Sequence, residues 1–354
     1  MVQFSTIFNT LSKNISNRPA GAKKNEVVLT SSGVVNAKNS ENFAAAYSKR
    51  GKKGINNQDR FIVLEKFGCQ EDMVFCGVFD GHGPWGHLVA KTVRQLMPSL
   101  LLRNWQEAVA LNGHKLTGPD IKHIQFEIWK QCYYKTCAAV DQELEQHPGI
   151  DSFYSGTTAL ALIRQGDLMV VANVGDSRAV LATTSDDGIL VATQLTTDLK
   201  PNLPHESKRI AQSKGRVYSC PDEPGVHRVW MPNGIKGPGL ALSRAFGDYY
   251  IKDFGLISEP EITQRNISSR DQFVILATDG VWDVISNQEA VEIVSSMPER
   301  AESAKRLVER AVCAWKHKGR ATVMDDISAI CLFFHSSTTL DQTLDDMNRN
   351  EKRV

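Results

Sequence analysis

The chain has 354 residues, enough for one large domain or two ordinary ones, and 42% of them are hydrophobic, which allows a substantial core. Lys and Arg (41) nearly balance Asp and Glu (40), so the formal net charge of +1 predicts no general attraction to nucleic acid or to an anionic membrane. No apolar stretch reaches the length of about 18 residues that is typical of a transmembrane helix. Seven scattered cysteines without a CxxC pair favour buried thiols in a reducing compartment, so we expect a cytoplasmic or nuclear protein, or one present in both.

The first half of the chain contains two strands followed by two helices. Residues 1–40, rich in Ser, Asn, Lys and Gly, predict a flexible N-terminal arm. Strands are expected at 61–65 and 74–79, and a helix over about 86–104. A second helix should begin near Pro119, since proline suits a first helical turn, and end near residue 147.

The second half begins with four apolar segments at 157–164, 168–174, 178–183 and 189–194. The short Gly- and Asp-rich spacers between them favour antiparallel hairpins. A short helix is expected at about 205–214. The many Gly and Pro residues of 215–240 then predict a long irregular loop, which is usually functional or mobile.

The chain continues with a strand, 273–277, and a capping-box pattern in which Ser286 and Glu289 open the next helix. A last helix is expected over about 299–318, and residues 337–354 predict a polar C-terminal tail. Blocks of strands and blocks of helices indicate an α+β layered fold. We expect a single domain over residues 41–336.

Acidic residues recur at the ends of apolar runs. Asp80 follows VFCGVF, Asp279 follows FVILAT, and Asp325 and Asp326 precede ISAICLFF. One Asp-Gly pair alone is more often a turn. A carboxylate at the end of a buried strand is costly unless it is paired or binds a cation. The repetition therefore predicts a metal site with oxygen ligands.

The sequence offers six positions for such ligands: Asp59, Asp80, Asp176, Asp279, Asp283 and either Asp325 or Asp326. Mg²⁺ and Mn²⁺ prefer oxygen ligands, and two such ions about 3.5–4 Å apart can lower the pKa of a shared water. No HExxH motif and no cysteine cluster supports zinc, and neither a GxSxG nor a Walker A motif is present.

His82 suits the role of a general acid. Lys52, Lys53 and Arg244 are the basic candidates for holding a substrate phosphate.

Eight strings in order carry a family resemblance: GKKGINNQDRF, FCGVFDGHGPWGH, SGTTAL, ANVGDSRAVL, GLALSRAFGDYYIK, LISEPEI, FVILATDGVWDVIS and DDISAICLFF. With them the chain resembles the metal-dependent protein serine/threonine phosphatases of type 2C. FDGHGPWGH and KDFGLISEPEI look most like plant members of that family. The resemblance implies a four-layer α/β/β/α sandwich in which two central antiparallel sheets are flanked by helices.

The resemblance also implies roles for single residues. Asp59, Asp80, Asp279 and Asp325 match ligands of two Mg²⁺ or Mn²⁺ ions, and Gly81 matches a ligand through its backbone carbonyl. Asp176 and Asp283 match a weaker third metal site, and His82 matches the general acid. Residues 200–239 cover the flap, which contacts substrates or regulators. The expected partners are phosphoproteins, with protein kinases among them, and neither nucleic acid nor a membrane; we expect a monomer.

Two departures from the family pattern leave other functions open. Gln58 stands where the family commonly has Glu, and an extra residue at Asn56-Asn57 displaces Lys53 from the usual phosphate-binding position to five residues before Gln58. Lys53 is long enough to reach the substrate phosphate nonetheless. The first alternative is a catalytically weak relative that binds phosphoproteins or kinases. The second is another two-metal hydrolase such as a nuclease, which the lack of a basic, aromatic-interleaved patch disfavours.

Overall fold

The computed structural model describes residues 43–52, 54–112, 121–232, 237–318 and 323–335. The predicted arm over residues 1–40, the predicted tail over 337–354 and Lys53 lie outside these ranges. No helix in the described ranges is both long and apolar enough to cross a membrane.

Strands and helices alternate in blocks along the described chain. In chain order the strands are β1 (Phe43–Lys49), β2 (Arg60–Glu65), β3 (Met73–Phe79), β4 (Gly81–His82), β5 (Gly156–Thr157), β6 (Ala159–Gln165), β7 (Leu168–Val174), β8 (Arg178–Thr184), β9 (Leu190–Gln194), β10 (Arg216–Ser219), β11 (His227–Trp230), β12 (Phe246–Gly247), β13 (Glu261–Asn266), β14 (Asp271–Ala277) and β15 (Ile327–Phe333). The α-helices are α1 (Gly86–Asn112), α2 (Ile121–Glu145), α3 (Pro204–Gln212), α4 (Tyr249–Lys252), α5 (Asp279–Trp282), α6 (Asn287–Ser295) and α7 (Ser303–His317).

Two five-stranded antiparallel sheets form the centre of the domain. One has the strand order β13-β7-β6-β3-β2, and the other has the order β1-β15-β14-β8-β9. Short pairings join β12, β5 and β4 into a small third sheet. The four apolar segments of 157–194 form β6 to β9. The predicted antiparallel hairpins are confirmed for β6–β7 and for β8–β9. The hairpin expected between β7 and β8 was wrong, because these two strands belong to different sheets.

Three apolar layers hold the sheets and helices together. Between the sheets, side chains such as Phe61 and Leu276 are buried in one shared apolar cluster. Helices α1 and α2 cover the β3 sheet over a core that includes Phe75 and Trp129. Helices α6 and α7 cover the β14 sheet around Ile275. Strands β3, β7 and β15 are buried along their whole length, which explains why their sequences are almost entirely apolar. The predicted four-layer α/β/β/α sandwich is confirmed.

The local predictions differ from the structure in several places: strands β1 and β13 were not predicted, helix α1 is longer than expected, and residues 215–240 contain a hairpin. Helix α1 continues beyond residue 104 to Asn112, because Trp105 stacks on Trp129 of α2 with ring centroids 5.4 Å apart. The prediction of irregular structure throughout 215–240 was wrong, since β10 and β11 pair there as a hairpin. Val217 and Val229 anchor this hairpin on an apolar cluster at the base of the flap. Helix α6 begins where the capping-box pattern predicted: Ser286 is its N-cap, and its Oγ accepts the Glu289 N–H at 3.2 Å.

Candidate active site

The acidic residues singled out in the sequence lie at the ends of strands that are paired with each other. Arg60, which begins β2, pairs with Phe79, which ends β3, and Ala277 at the end of β14 pairs with Arg178 at the start of β8. Within each sheet, antiparallel pairing places the residues just outside these ends side by side. A hydrogen bond from Thr278, which follows β14, to Asp59, which precedes β2, joins the ends of the two sheets. The acidic residues just outside the strand ends are Asp59, Asp80, Asp176, Asp279 and Asp325.

Asp59 is almost completely buried, with 1% of its surface exposed. Thr278 Oγ1 donates to its Oδ2 at 3.0 Å, whereas its Oδ1 is buried with no hydrogen-bond partner among the described residues. Burial, together with the charges of Asp326 and Asp325, raises the pKa of Asp59 to about 7. A buried carboxylate oxygen without a donor is unfavourable on its own and fits a cation ligand.

Asp80 lies among other carboxylates. Burial raises its pKa well above the usual range, and the charges of Asp59, Asp279, Asp325 and Asp176 raise it further. Like charges in a poorly solvated region destabilise one another's ionised forms. The predicted ligands thus form one acidic cluster, and a divalent cation would offset this repulsion.

Gln58 and Gly81 complete this part of the site. Gln58 Oε1 is buried and has no hydrogen-bond partner among the described residues, so it is a second oxygen that suits a cation or a water bound to one. Gly81 fits its position because a Cβ there would lie 2.4 Å from the Gly86 carbonyl oxygen and 2.8 Å from that of Gln58. Only glycine allows this close approach of main chains, and the predicted role of Gly81 as a ligand through its backbone carbonyl is compatible with it.

The structure distinguishes the two adjacent aspartates, Asp325 and Asp326. Asp326 accepts the backbone N–H of Gly51 through Oδ1 and that of Gln58 through Oδ2, each at 2.6 Å. Both of its oxygens therefore hold the 51–58 loop in place. This arrangement supports Asp325, rather than Asp326, as the metal ligand.

The residues of the predicted third site lie beside a lysine. Asp176 is 8% exposed, and its Oδ2 lies 3.8 Å from Lys200 Nζ. Burial raises the pKa of Asp176 to about 6, Lys200 lowers it, and the charges of Asp198 and Asp283 raise it. Asp283 is exposed. Lys200 was not anticipated, because it lies in a connecting segment without a recognisable motif.

His82 contacts a buried aspartate that the sequence did not reveal. Its Nε2 lies 2.6 Å from Oδ2 of Asp248, which is 2% exposed and has the left-handed backbone angle φ of 55°. Burial lowers the pKa of His82, but the charge and hydrogen bond of Asp248 raise it, and the net pKa is above the ordinary value. A Cβ on Gly156 would lie 2.1 Å from Asp248 Oδ2, so glycine is needed there for the pair to form.

Arg244, which was predicted to bind a substrate phosphate, already has partners within the domain. Its guanidinium donates to the fully buried Glu206, with Nη2 2.8 Å from Oε1, and to the Glu259 carbonyl at 2.9 Å. Arg209 binds the other oxygen of Glu206 at 2.9 Å. The described contacts of Arg244 thus give no support to the prediction that it binds phosphate, because an ion pair already occupies the guanidinium.

The other basic residues near the cluster have different positions. Lys53 is outside the described residues, and Lys52 is exposed, with its backbone N–H donated to the Met324 carbonyl at 2.7 Å. Arg60, which was not singled out in the sequence, donates to the backbone carbonyls of Asn57 and Asp59 at 2.8 and 2.6 Å. It therefore braces the backbone that carries Asp59.

In the ranges that the structure describes, no group of three or more His, Cys, Asp or Glu side chains is already arranged around one ion position. The fit of the site to metals thus rests on the buried oxygens without donors, Asp59 Oδ1 and Gln58 Oε1, and on the repulsion within the cluster. Hard divalent cations take oxygen ligands of this kind.

Comparisons with known proteins identify the family of this chain. The family model described as protein phosphatase 2C matches residues 47–315. "Probable protein phosphatase 2C 34" of Arabidopsis thaliana is 58% identical over 96% of this chain and 99% of its own length. "Probable protein phosphatase 2C 48" of Oryza sativa subsp. japonica is also 58% identical, over 90% and 91%. The crystal structure of a serine-threonine phosphatase 2C from Toxoplasma gondii superposes with a TM-score of 0.74 at 26% identity, covering 86% of this chain and 96% of that one.

The chain belongs to the protein phosphatase 2C family and is a protein serine/threonine phosphatase. The resemblance drawn from the eight sequence strings is confirmed, and these curated relatives come from plants, as two of the strings indicated.

Proposed function

We propose that this phosphatase uses Mg²⁺ or Mn²⁺ held by its acidic cluster to hydrolyse phosphoserine and phosphothreonine in proteins. Asp59, Asp80, Gly81, Asp279 and Asp325 would hold two ions, and Asp176 and Asp283 a weaker third. The observation that carries the proposal is the buried Asp59 oxygen without a donor, set among carboxylates that raise one another's pKa.

When bound, the ions would supply a water of lowered pKa as the nucleophile and neutralise charge on the phosphate. His82 then donates a proton to the departing Ser or Thr oxygen, which is a poor leaving group without one. Because Nε2 of His82 contacts Asp248, we assign the donated proton to Nδ1. Asp326 keeps the 51–58 loop against the cluster, and Lys53 remains our candidate for binding the substrate phosphate.

The proposal also covers the role of the enzyme in the cell. Removing phosphate from Ser and Thr opposes protein kinases, so we propose that the enzyme down-regulates kinase signalling and that kinases are among its partners. We also propose that it acts as a monomer in the cytoplasm, the nucleus or both. The near-zero net charge supports the exclusion of nucleic acid as a partner.

The proposal is tested with the purified full chain and a phosphothreonine peptide, in Mg²⁺ or Mn²⁺ and with or without EDTA. We expect turnover that requires metal and falls at least about a hundredfold in Asp279→Asn, since charge stabilisation of this kind is a major part of such catalysis. The matched control is Asp253→Asn, which removes an exposed carboxylate and should keep full activity.

Full metal-dependent turnover by Asp279→Asn would refute the assigned metal centre. A folded wild-type protein that binds the phosphopeptide without hydrolysing it would instead support the catalytically weak binding relative, for which Gln58 and the displaced Lys53 are the reason. Metal-dependent hydrolysis of DNA would support the nuclease alternative.

A further inference from the structure

Three large aromatic side chains beside His82 remain exposed to solvent. Trp85, Phe153 and Tyr154 are 44%, 48% and 46% exposed, and we refer to them together as the aromatic ridge. They lie on two segments in direct contact: the Trp85 N–H is donated to Ser155 Oγ at 2.9 Å, and a Cβ on Gly83 would lie 2.3 Å from the Tyr154 carbonyl oxygen. The ridge therefore borders the strand pair β4–β5, in which His82 pairs with Gly156.

The ridge is supported from beneath by Tyr250, which is 8% exposed. The Tyr154 ring lies 5.0 Å from the Tyr250 ring, and Phe153 meets Tyr154 edge to face at 4.8 Å. The backbone N–H of Tyr250 is donated to the Phe153 carbonyl at 3.2 Å. Rings held in this way lose little conformational entropy when a partner covers them, which favours binding.

The proposed proton transfer from His82 indicates which part of the substrate lies near the aromatic ridge. His82 gives its proton to the oxygen that leaves with the dephosphorylated Ser or Thr. That oxygen belongs to the substrate's polypeptide, so the residues flanking the phosphorylated one leave the site on the side of His82. The aromatic ridge lies on the two chain segments next to His82, so a polypeptide held beside His82 passes close to it.

We propose that the aromatic ridge binds the residues flanking the phosphoserine or phosphothreonine, and that the enzyme prefers substrates with apolar or aromatic residues at those positions. This inference rests on the proposed function. Exposed aromatic groups next to a site contribute most when apolar partners remove them from water. Substrates with polar flanking residues would leave the ridge exposed to water, so the ridge would not strengthen their binding.

Two phosphothreonine peptides of equal length test the proposal, one with Leu and Phe flanking the phosphothreonine and one with Ser at the same positions. We expect wild-type KM to be about tenfold lower for the apolar peptide, the size of effect that one apolar contact produces. Phe153→Ser and Tyr154→Ser should each reduce this preference. Hydrolysis of p-nitrophenyl phosphate, which has no flanking residues, should be unchanged in both variants. Trp85→Ser, on the other segment of the ridge, should also reduce the preference for the apolar peptide.

The matched control is Ile189→Ser, which removes an apolar side chain that is 62% exposed. Ile189 lies in the turn after β8, at the end of that strand remote from Asp176, so it is about 20 Å along the strand from the acidic cluster. It should keep the full peptide preference.

Equal KM values for the two peptides in the wild-type enzyme would overturn the proposal. The same result is expected if the ridge serves to bind a regulatory protein rather than the substrate. A loss of preference in Ile189→Ser as large as in the ridge variants would overturn the proposal too. Failure of the wild type to hydrolyse p-nitrophenyl phosphate with metal would count against the proposed function instead, so the two failures are distinguishable.

Discussion

The contact between His82 and Asp248 joins residues 166 positions apart in the chain. Asp248 is too buried to serve as a solvated surface charge, and its backbone is held by a hydrogen bond from its N–H to the Ser155 carbonyl at 3.0 Å. A carboxylate fixed at one imidazole nitrogen orients the ring and favours its protonated form. We regard Asp248 as a positioning residue, because it acts through His82 rather than on the substrate.

Asp248→Asn tests this role at the residue scale. The substitution keeps the shape and removes the charge, so we expect kcat for a phosphothreonine peptide to fall about a hundredfold, the lower end of the range for general acid catalysis. Hydrolysis of p-nitrophenyl phosphate should change little, because its leaving group departs without a proton. Steady-state kinetics on both substrates measure the difference. An equal loss on both would show that Asp248 only maintains the fold.

Sequence reasoning located the carboxylates because their signal is local. Asp80, Asp279 and Asp325 each lie at the end of an apolar run, and that pattern can be recognised from about ten residues. The partner of His82 depends instead on the pairing of β4, β5 and β12, which no local pattern encodes. The same limit applies to Arg244. Its charge suggested a contact with phosphate, and only the tertiary structure shows that it forms an ion pair with Glu206.

At the scale of elements, the flap is fixed to the domain by a buried ion cluster. Glu206 on α3 is fully buried and binds Arg209 of the same helix and Arg244. Burial alone would raise the pKa of Glu206, but hydrogen bonds from the two arginines lower it to about 2. Buried charges are favourable only when they are paired in this way, so removing one partner is costly.

Glu206→Gln should therefore reduce the free energy of unfolding at pH 7 by about 3 kcal/mol, since it leaves two arginines without their carboxylate. The folded-state pKa of Glu206 lies below its unfolded value, so its stabilisation is present above about pH 4.5 and is lost as the pH falls toward 2. The stability difference between wild type and variant should thus narrow on acidification. Urea unfolding at pH 7 and at pH 3.5 measures both effects.

Glu223→Gln is the matched control for this experiment. Glu223 also pairs with an arginine, Arg228, but it is 51% exposed, and exposed pairs contribute about 1 kcal/mol or less. Equal losses in the two glutamate variants would contradict the assignment of the Glu206 cluster as the anchor of the flap.

The hairpin β10–β11 shows why element prediction failed in this region. The glycines and prolines around it are typical of loops, and they obscure two four-residue strands. Those strands form because Val217 and Val229 contact the cluster around Ile210, and because Tyr218 and Trp230 stack with ring centroids 5.1 Å apart. Tertiary packing thus outweighed local composition.

At the scale of the whole molecule, the acidic cluster couples metal binding to stability. Ligands that bind only the folded state stabilise it by about 2.7 kcal/mol at one hundred times their Kd. For a domain of this size we expect Mg²⁺ at that level to raise Tm by about 5 °C.

Asp59→Asn tests this coupling. It should raise Tm in EDTA, because it removes one repelling charge and supplies a hydrogen-bond donor at a buried position. It should also abolish most of the increase in Tm that Mg²⁺ produces. Calorimetric scans with and without Mg²⁺ measure both changes, and an equal Mg²⁺ effect in wild type and variant would refute the coupling.

The most direct test of the metal centre is equilibrium titration of the metal-free full chain with Mn²⁺, monitored by calorimetry. The account predicts saturable binding of at least two ions per chain, with the tightest sites lost in Asp80→Asn and retained in the exposed control Asp253→Asn. Absence of saturable binding, or an unchanged isotherm in Asp80→Asn, would contradict the assignment of this cluster as the catalytic metal centre.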